Sequence, residues 1–259
     1  MAIRNDRDSL ERLAAKPSEI EMVIDGGNSD RRVNLQEISL NAPSSGNGAK
    51  DNSRYSESDG RLAREVEEFF DLAINEMAAL RTRAEVDAIE RAAELIMECE
   101  SRGGRVHVTG IGKSEHIARY VASLLSSTGT PAYFLHATEC VHGSAGQVCP
   151  SDIIIAISNS GTTPELLTAI KVLGDFGIKI IAVSGNPEST LAQASDVVLY
   201  AGVDNEGGGL NLVPRASILA KIYVLCSLSV ALESRKGLTR EQYARWHPGG
   251  ALGRLARGE

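Results

Sequence analysis

Five short apolar segments, at 106–109, 132–135, 153–157, 180–183 and 197–200, constrain this chain more than any other feature. Each has strand length, is rich in β-branched residues, and is bounded by Gly, Pro, Asp or Ser. Between most of them lie stretches with helical spacing, at 114–127 and 164–176 and a shorter one near 188–194. Strands alternating with helices require crossover connections, and right-handed βαβ units place a parallel sheet under helices on both faces. The expectation is an α/β fold, a three-layer α/β/α sandwich around a roughly five-stranded parallel sheet.

Upstream, Leu62, Val66, Phe69, Phe70, Leu72, Ala73, Met77 and Leu80 recur with helical period, followed by Val86, Ile89, Ala92, Ala93, Ile96 and Met97. Two helices are expected, broken near Arg83, docking on the sheet or on a second subunit. Downstream, 215–235 reads as a long, largely apolar helix and 239–245 as a short one. Residues 1–58 combine many charges with the turn-rich cluster Asn41-Ala42-Pro43-Ser44-Ser45-Gly46-Asn47-Gly48. They offer too little apolar surface to offset ordering entropy, so a disordered extension is expected there, ahead of one domain at 59–259.

The formal net charge of −7 and the scattered basic residues exclude the electrostatic footprint of non-specific nucleic-acid binding. No segment has 18 continuous apolar residues, and the N-terminus carries no apolar signal core, so a cytoplasmic protein with no membrane partner is expected. Cys99, Cys140, Cys149 and Cys226 form no CxxC pair and read as reduced thiols.

Ligands of an open parallel sheet bind beyond the carboxyl ends of its strands. Two loops hold that position. Gly110-Ile111-Gly112-Lys113-Ser114 follows the first strand, and Ser158-Asn159-Ser160-Gly161-Thr162-Thr163 follows the third. The second places four hydroxyls ahead of a helix whose first-turn N–H groups lack partners, which suits an anion such as phosphate without a metal. Plain N-capping would need one hydroxyl. The first loop is not a Walker motif, because His107 stands where the leading glycine belongs. It is not a dinucleotide fingerprint either, because Glu115 replaces the third glycine.

The stretches GIGKSEHIA (110–118), STGTPAYFLHATECVHGSAG (127–146), DIIIAISNSGTTPE (152–165) and HPGGALGR (247–254) resemble the sugar isomerase (SIS) family, and within it the arabinose 5-phosphate isomerase branch. The resemblance covers about 62–256. It implies the SIS fold and a phosphate site at Ser158, Ser160 and Thr163, with Ser114 assisting. It also implies an active-site quartet of Lys113, Glu165, Glu206 and His247, with the histidine reaching a neighbouring subunit's site in a homo-oligomer, a dimer or tetramer. Gly112, Asn159, Gly161, Glu139 and His142 complete the candidate substrate contacts. Two departures stand out. Pro214-Arg215-Ala216-Ser217 replaces a Pro-Thr-Ser-Ser-like run, and the chain ends at Glu259 without the CBS modules that many members carry after HPGGALG.

The implied reaction interconverts ribulose 5-phosphate and arabinose 5-phosphate through an enediol(ate), with no cofactor. Another phosphosugar (hexulose or heptose phosphate) and a non-catalytic sensing module are the alternatives. The chemistry needs a base, a proton donor and oxyanion stabilisation, all within reach of glutamate, histidine and lysine. Glu165, at a helix start, and Glu206, in a Gly-rich loop able to close over substrate, are alternative bases, with Glu206 favoured. His247 suits ring opening or proton shuttling, and Lys113 suits phosphate or enediolate. His136, Glu139 and His142 make a metal site conceivable, but a substrate-contacting or structural role is expected and no metal. His247 sits on a tail softened by Gly249-Gly250, long enough to reach a neighbour.

Overall fold

The computed structural model describes residues 56–259. In chain order the elements are α1 (Ser56–Arg83), α2 (Val86–Ser101), β1 (Val106–Gly110), α3 (Lys113–Ser127), β2 (Ala132–Phe134), two 3-10 turns (Thr138–His142 and Ser144–Gln147), β3 (Ile153–Ser158), α4 (Pro164–Gly174), β4 (Lys179–Ser184), α5 (Thr190–Gln193), β5 (Val197–Tyr200), α6 (Ala216–Lys236), α7 (Arg240–Trp246) and α8 (Gly250–Arg257). The five expected strands all form, and all pair in parallel in the order β2-β1-β3-β4-β5. The expectation for residues 1–58 lies outside the described residues, except that Ser56 to Ser58 already belong to α1.

Alternation along β3 divides the core. Ile153, Ile155 and Ile157 join one apolar cluster with Val106, Val108, Ile96, Val121, Leu125, Val224 and Leu228, so that face is covered by α2, α3 and α6. Ile154 and Ala156 join the other with Leu166, Ile170, Leu173 and Leu191, under α4 and α5. All six residues of β3 are buried, as a strand covered on both faces requires. Helix α6 has the length and mean hydropathy of a membrane span, but half of its most apolar window is buried, and it packs in this core.

The tail differs from expectation. The sequence reading gave it a flexible Gly249-Gly250 segment, whereas Gly249 caps α8 and Gly250 begins it. Close packing explains this: a Cβ on Gly253 would lie 1.8 Å from the carbonyl oxygen of His247, so α8 folds back onto the end of α7. Helix α7 is held at its start by a capping box between Thr239 and Gln242.

At the entry to the sheet, buried Asp152 ties β1 to β3. Its carboxylate accepts hydrogen bonds from Arg105 N at 2.8 Å and Cys149 N at 2.7 Å, and lies 3.0 Å from Nε2 of buried His107. Asp152→Ala should cost about 3 kcal/mol, because it leaves the buried His107 imidazole and two backbone N–H groups without their acceptor. Urea denaturation checks this; a loss below about 1 kcal/mol would mean the pin contributes little.

Candidate active site

The connection leaving β1 leads outward to β2, and the one leaving β3 leads the other way to β4. The chain therefore opens a crevice between the carboxyl ends of β1 and β3. A cavity of about 360 Å³ lies there, bordered by Ile111, Lys113, Ser114, Ser158, Asn159, Ser160, Thr163, Glu206, Leu212, Pro214, Ser217 and Lys221, among others. A second hollow of about 270 Å³, at the β5 edge, includes none of the glycine-loop or candidate catalytic residues.

Two helices begin at this crevice, α3 after Gly112 and α4 after Thr163, and neither start carries a side-chain cap. The hydroxyls of the second loop are not spent on capping α4. Ser158 Oγ accepts from Gly161 N at 3.1 Å and lies 3.3 Å from Thr163 Oγ1, while Ser160 Oγ accepts from Thr162 N at 3.3 Å. The hydroxyls thus shape the loop and leave the α4 N–H groups free for an anion. Gly161 is required here. Its φ is +65°, and a Cβ would lie 2.0 Å from Ser189 Oγ.

Glu206 occupies a different role from a residue on a mobile lid. Its Oε2 accepts from Arg215 N at 2.7 Å and Ser217 N at 3.0 Å, capping α6 from nine residues ahead of its N-cap Arg215. The preceding segment is fastened to α1, where Glu76 accepts from Asp204 N at 2.9 Å and Asn205 N at 2.8 Å and Arg83 pairs with Asp204. Burial pushes the Glu206 carboxyl up, but other groups outweigh it. These are the Ser217 hydroxyl (close by, though without hydrogen-bond geometry), the two backbone N–H groups and the Lys221 charge. The carboxyl therefore sits below the usual range.

The crevice brings together only part of the expected set. Lys113, Glu206, Ser114, Ser158, Asn159, Ser160 and Thr163 border the cavity. Gly112 and Gly161 shape its loops without bordering it, and Glu165 is exposed on the first turn of α4 outside it. Glu139 and His142 lie on a 3-10 turn away from its wall. His136 places Nδ1 3.0 Å from the Thr138 hydroxyl, and among the described residues no three His, Cys, Asp or Glu converge as a metal cluster. His247 closes α7, with Nδ1 2.9 Å from Tyr243 O and its ring stacked 3.9 Å from that of Tyr243, and it does not border this chain's cavity.

Among the bordering residues that the sequence did not mark as site residues, Lys221 carries the charge. Lys221 is buried in α6, with Nζ donating to Asn159 Oδ1 and to Ser217 O, each at 2.8 Å. A lysine amid apolar residues was a legible signal, but on a helix it reads equally as a solvent-facing charge. Burial pulls its pKa down to about 8, against an opposing pull from Glu206.

The unfolded chain holds this proton up to the usual 10.5, while the folded chain releases it near 8. Stability should therefore rise with pH across that window, and this gain should be absent below it. Lys221→Met should remove the rise, as read from the difference between wild-type and variant unfolding free energies at each pH. A difference independent of pH would mean that Lys221 titrates as in solvent.

A family model described as the SIS domain matches residues 101–231, which include both glycine loops and most of α6. The chain is 42% identical over 168 residues to arabinose 5-phosphate isomerase KdsD of Pseudomonas aeruginosa, covering 65% of this chain and 51% of that protein. It is 46% identical over 164 residues to the KdsD of Yersinia pestis, covering 63% and 49%. The chain thus spans about half the length of the curated relatives it matches. Among solved structures, the Escherichia coli CFT073 protein c3406 in complex with arabinose 5-phosphate superimposes with a TM-score of 0.68 at 30% identity, covering 73% of this chain and 99% of that one. With the family's model matched over the strands and loops that build the crevice, and a sheet shared with that solved neighbour, this chain belongs to the SIS domain family.

Proposed function

We propose that this chain is a sugar-phosphate aldose–ketose isomerase that interconverts ribulose 5-phosphate and arabinose 5-phosphate through an enediol(ate). The observation that carries the reading is one cavity holding an uncapped helix start, a hydroxyl loop, two lysines and a carboxylate. The names of the curated relatives and the arabinose 5-phosphate bound to a solved neighbour support the choice of pentose.

In this reading the phosphate sits on Ser160, Thr163 and the first-turn N–H groups of α4, with Lys113 supplying positive charge. Glu206 is the base that moves the proton between C1 and C2. Its Oε2 is committed to α6, and its Oε1 accepts no hydrogen bond among the described residues, so one oxygen is held while the other is available. A low pKa weakens it as a base in the free enzyme; a substrate that excludes water raises it toward the working range. Glu165, exposed outside the cavity, supports the helix start.

The test is an assay of purified protein against phosphopentoses, phosphohexoses and phosphoheptoses. Turnover of arabinose 5-phosphate is expected; turnover of another sugar would reassign the substrate, and binding without turnover would make this a sensing module. Glu206→Gln keeps an acceptor for the α6 N–H groups, so it should fold as wild type while kcat falls about 10²- to 10⁴-fold. A kcat within tenfold of wild type would remove Glu206 as base.

His247 belongs to this mechanism through a second copy, because it does not border its own chain's cavity. Mixing inactive His247→Ala and Glu206→Gln proteins under subunit exchange should restore part of the activity. No recovery despite proven exchange would place both residues in one chain's site.

A further inference from the structure

We propose that Lys221 is the positioning residue of this cavity, clamping the Asn159 amide so that its Nδ2 hydrogens are presented to an oxygen of the bound sugar phosphate. The proposal rests on the sugar-phosphate reading given above and adds a residue to it.

Lys221 is the one buried lysine among the described residues, with 1% of its surface exposed. A buried lysine must find acceptors, and this one finds two, Asn159 Oδ1 and Ser217 O. An amine nitrogen with its hydrogens on these two atoms fixes which way the amide faces, because only the oxygen of Asn159 can accept from it. This holds for the ammonium, which carries three donors and no lone pair.

The rest of Asn159 is equally restrained. Its carbonyl oxygen accepts from Gly185 N at 3.0 Å and from Ser184 Oγ at 3.4 Å, which ties its main chain to the end of β4. Its Nδ2 donates to nothing among the described residues, although the residue borders the cavity. Ser217, which also borders the cavity, has a buried hydroxyl with no hydrogen-bond partner among the described residues. The free donors of the clamped amide and the Ser217 hydroxyl thus belong to two residues that border the same cavity, as expected of a surface that takes a polar ligand. An asparagine on an exposed loop would otherwise lose rotamer freedom on binding; holding it beforehand removes that cost.

The experiment is a double-mutant cycle on the full chain, with kcat and KM measured for arabinose 5-phosphate. Lys221→Met and Asn159→Ala should each raise KM about five- to tenfold with kcat within about threefold. The double variant should lie within about twofold of the worse single one, because both changes remove the same presented amide. Multiplying effects, or a lower melting temperature with unchanged KM, would leave Lys221 a purely structural residue and overturn the proposal. Asn159→Asp guards against an unfolded Lys221→Met protein. It keeps the oxygen facing Lys221 and replaces the donors with an acceptor, so KM should rise at least about tenfold; an unchanged KM overturns the proposal. If wild type turns over no phosphosugar, the function above fails by itself, and calorimetric dissociation constants for arabinose 5-phosphate and inorganic phosphate replace KM. The same coupling then supports the clamp, whereas additive effects, or no binding to wild type, overturn it.

Discussion

Strand β3 crosses the middle of the sheet with every residue buried, and most of the architecture follows from that double-sided burial. Its odd positions need helices α2, α3 and α6, and its even positions need α4 and α5. Removing a side chain such as Ile155 from water contributes about 1.5–3 kcal/mol, so the five apolar residues of β3 together hold the two layers against the sheet. Parallel pairing needs right-handed crossovers, and covering both faces needs the crossovers from β1 and β3 to leave in opposite directions. The crevice is the geometric residue of that divergence, and the two helix starts beside it come without further cost.

Charge is arranged against the average of the molecule. The chain carries a formal net charge of −7, yet the cavity gathers Lys113, Lys221 and two helix N-termini around a single carboxylate, that of Glu206. Helix starts contribute partial positive charge that needs no desolvation, because their N–H groups are already fixed. Lys221 is different, since burying it costs solvation and is tolerated through Asn159, Ser217 and the nearby carboxylate. Glu206 shows the converse balance, in which burial pushes its carboxyl up while the Ser217 hydroxyl, the α6 N–H groups and the Lys221 charge together bring it below the usual range. Each residue's charge favours the charged form of the other across the head of α6.

The strands were legible because each is a short β-branched run between turn residues, and local pattern suffices when burial is on both faces. Their ends moved by one residue in places, as with β1, which extends to Gly110, and β2, which stops at Phe134. The serine-rich loop was legible because hydroxyls and glycine cluster ahead of a helix. Helix α8 was hidden, since Gly249-Gly250 is a poor local helix start and the turn back brings Gly253 against the His247 carbonyl, a contact between residues six apart. The same contact removes the flexibility on which a reaching tail was first argued.

What the sequence determined by itself is everything that repeats with a local period: five strands, the helices between them, and the two glycine loops at strand ends. What the tertiary structure alone decided is which distant groups meet. Glu206 caps a helix beginning ten residues later, Lys221 reaches Asn159 across 62 positions, and Glu165 ends outside the cavity despite standing beside its loop. The physical reason is that a hydrogen bond or a buried charge is specified by distance in space, whereas periodicity records only which face of an element is apolar.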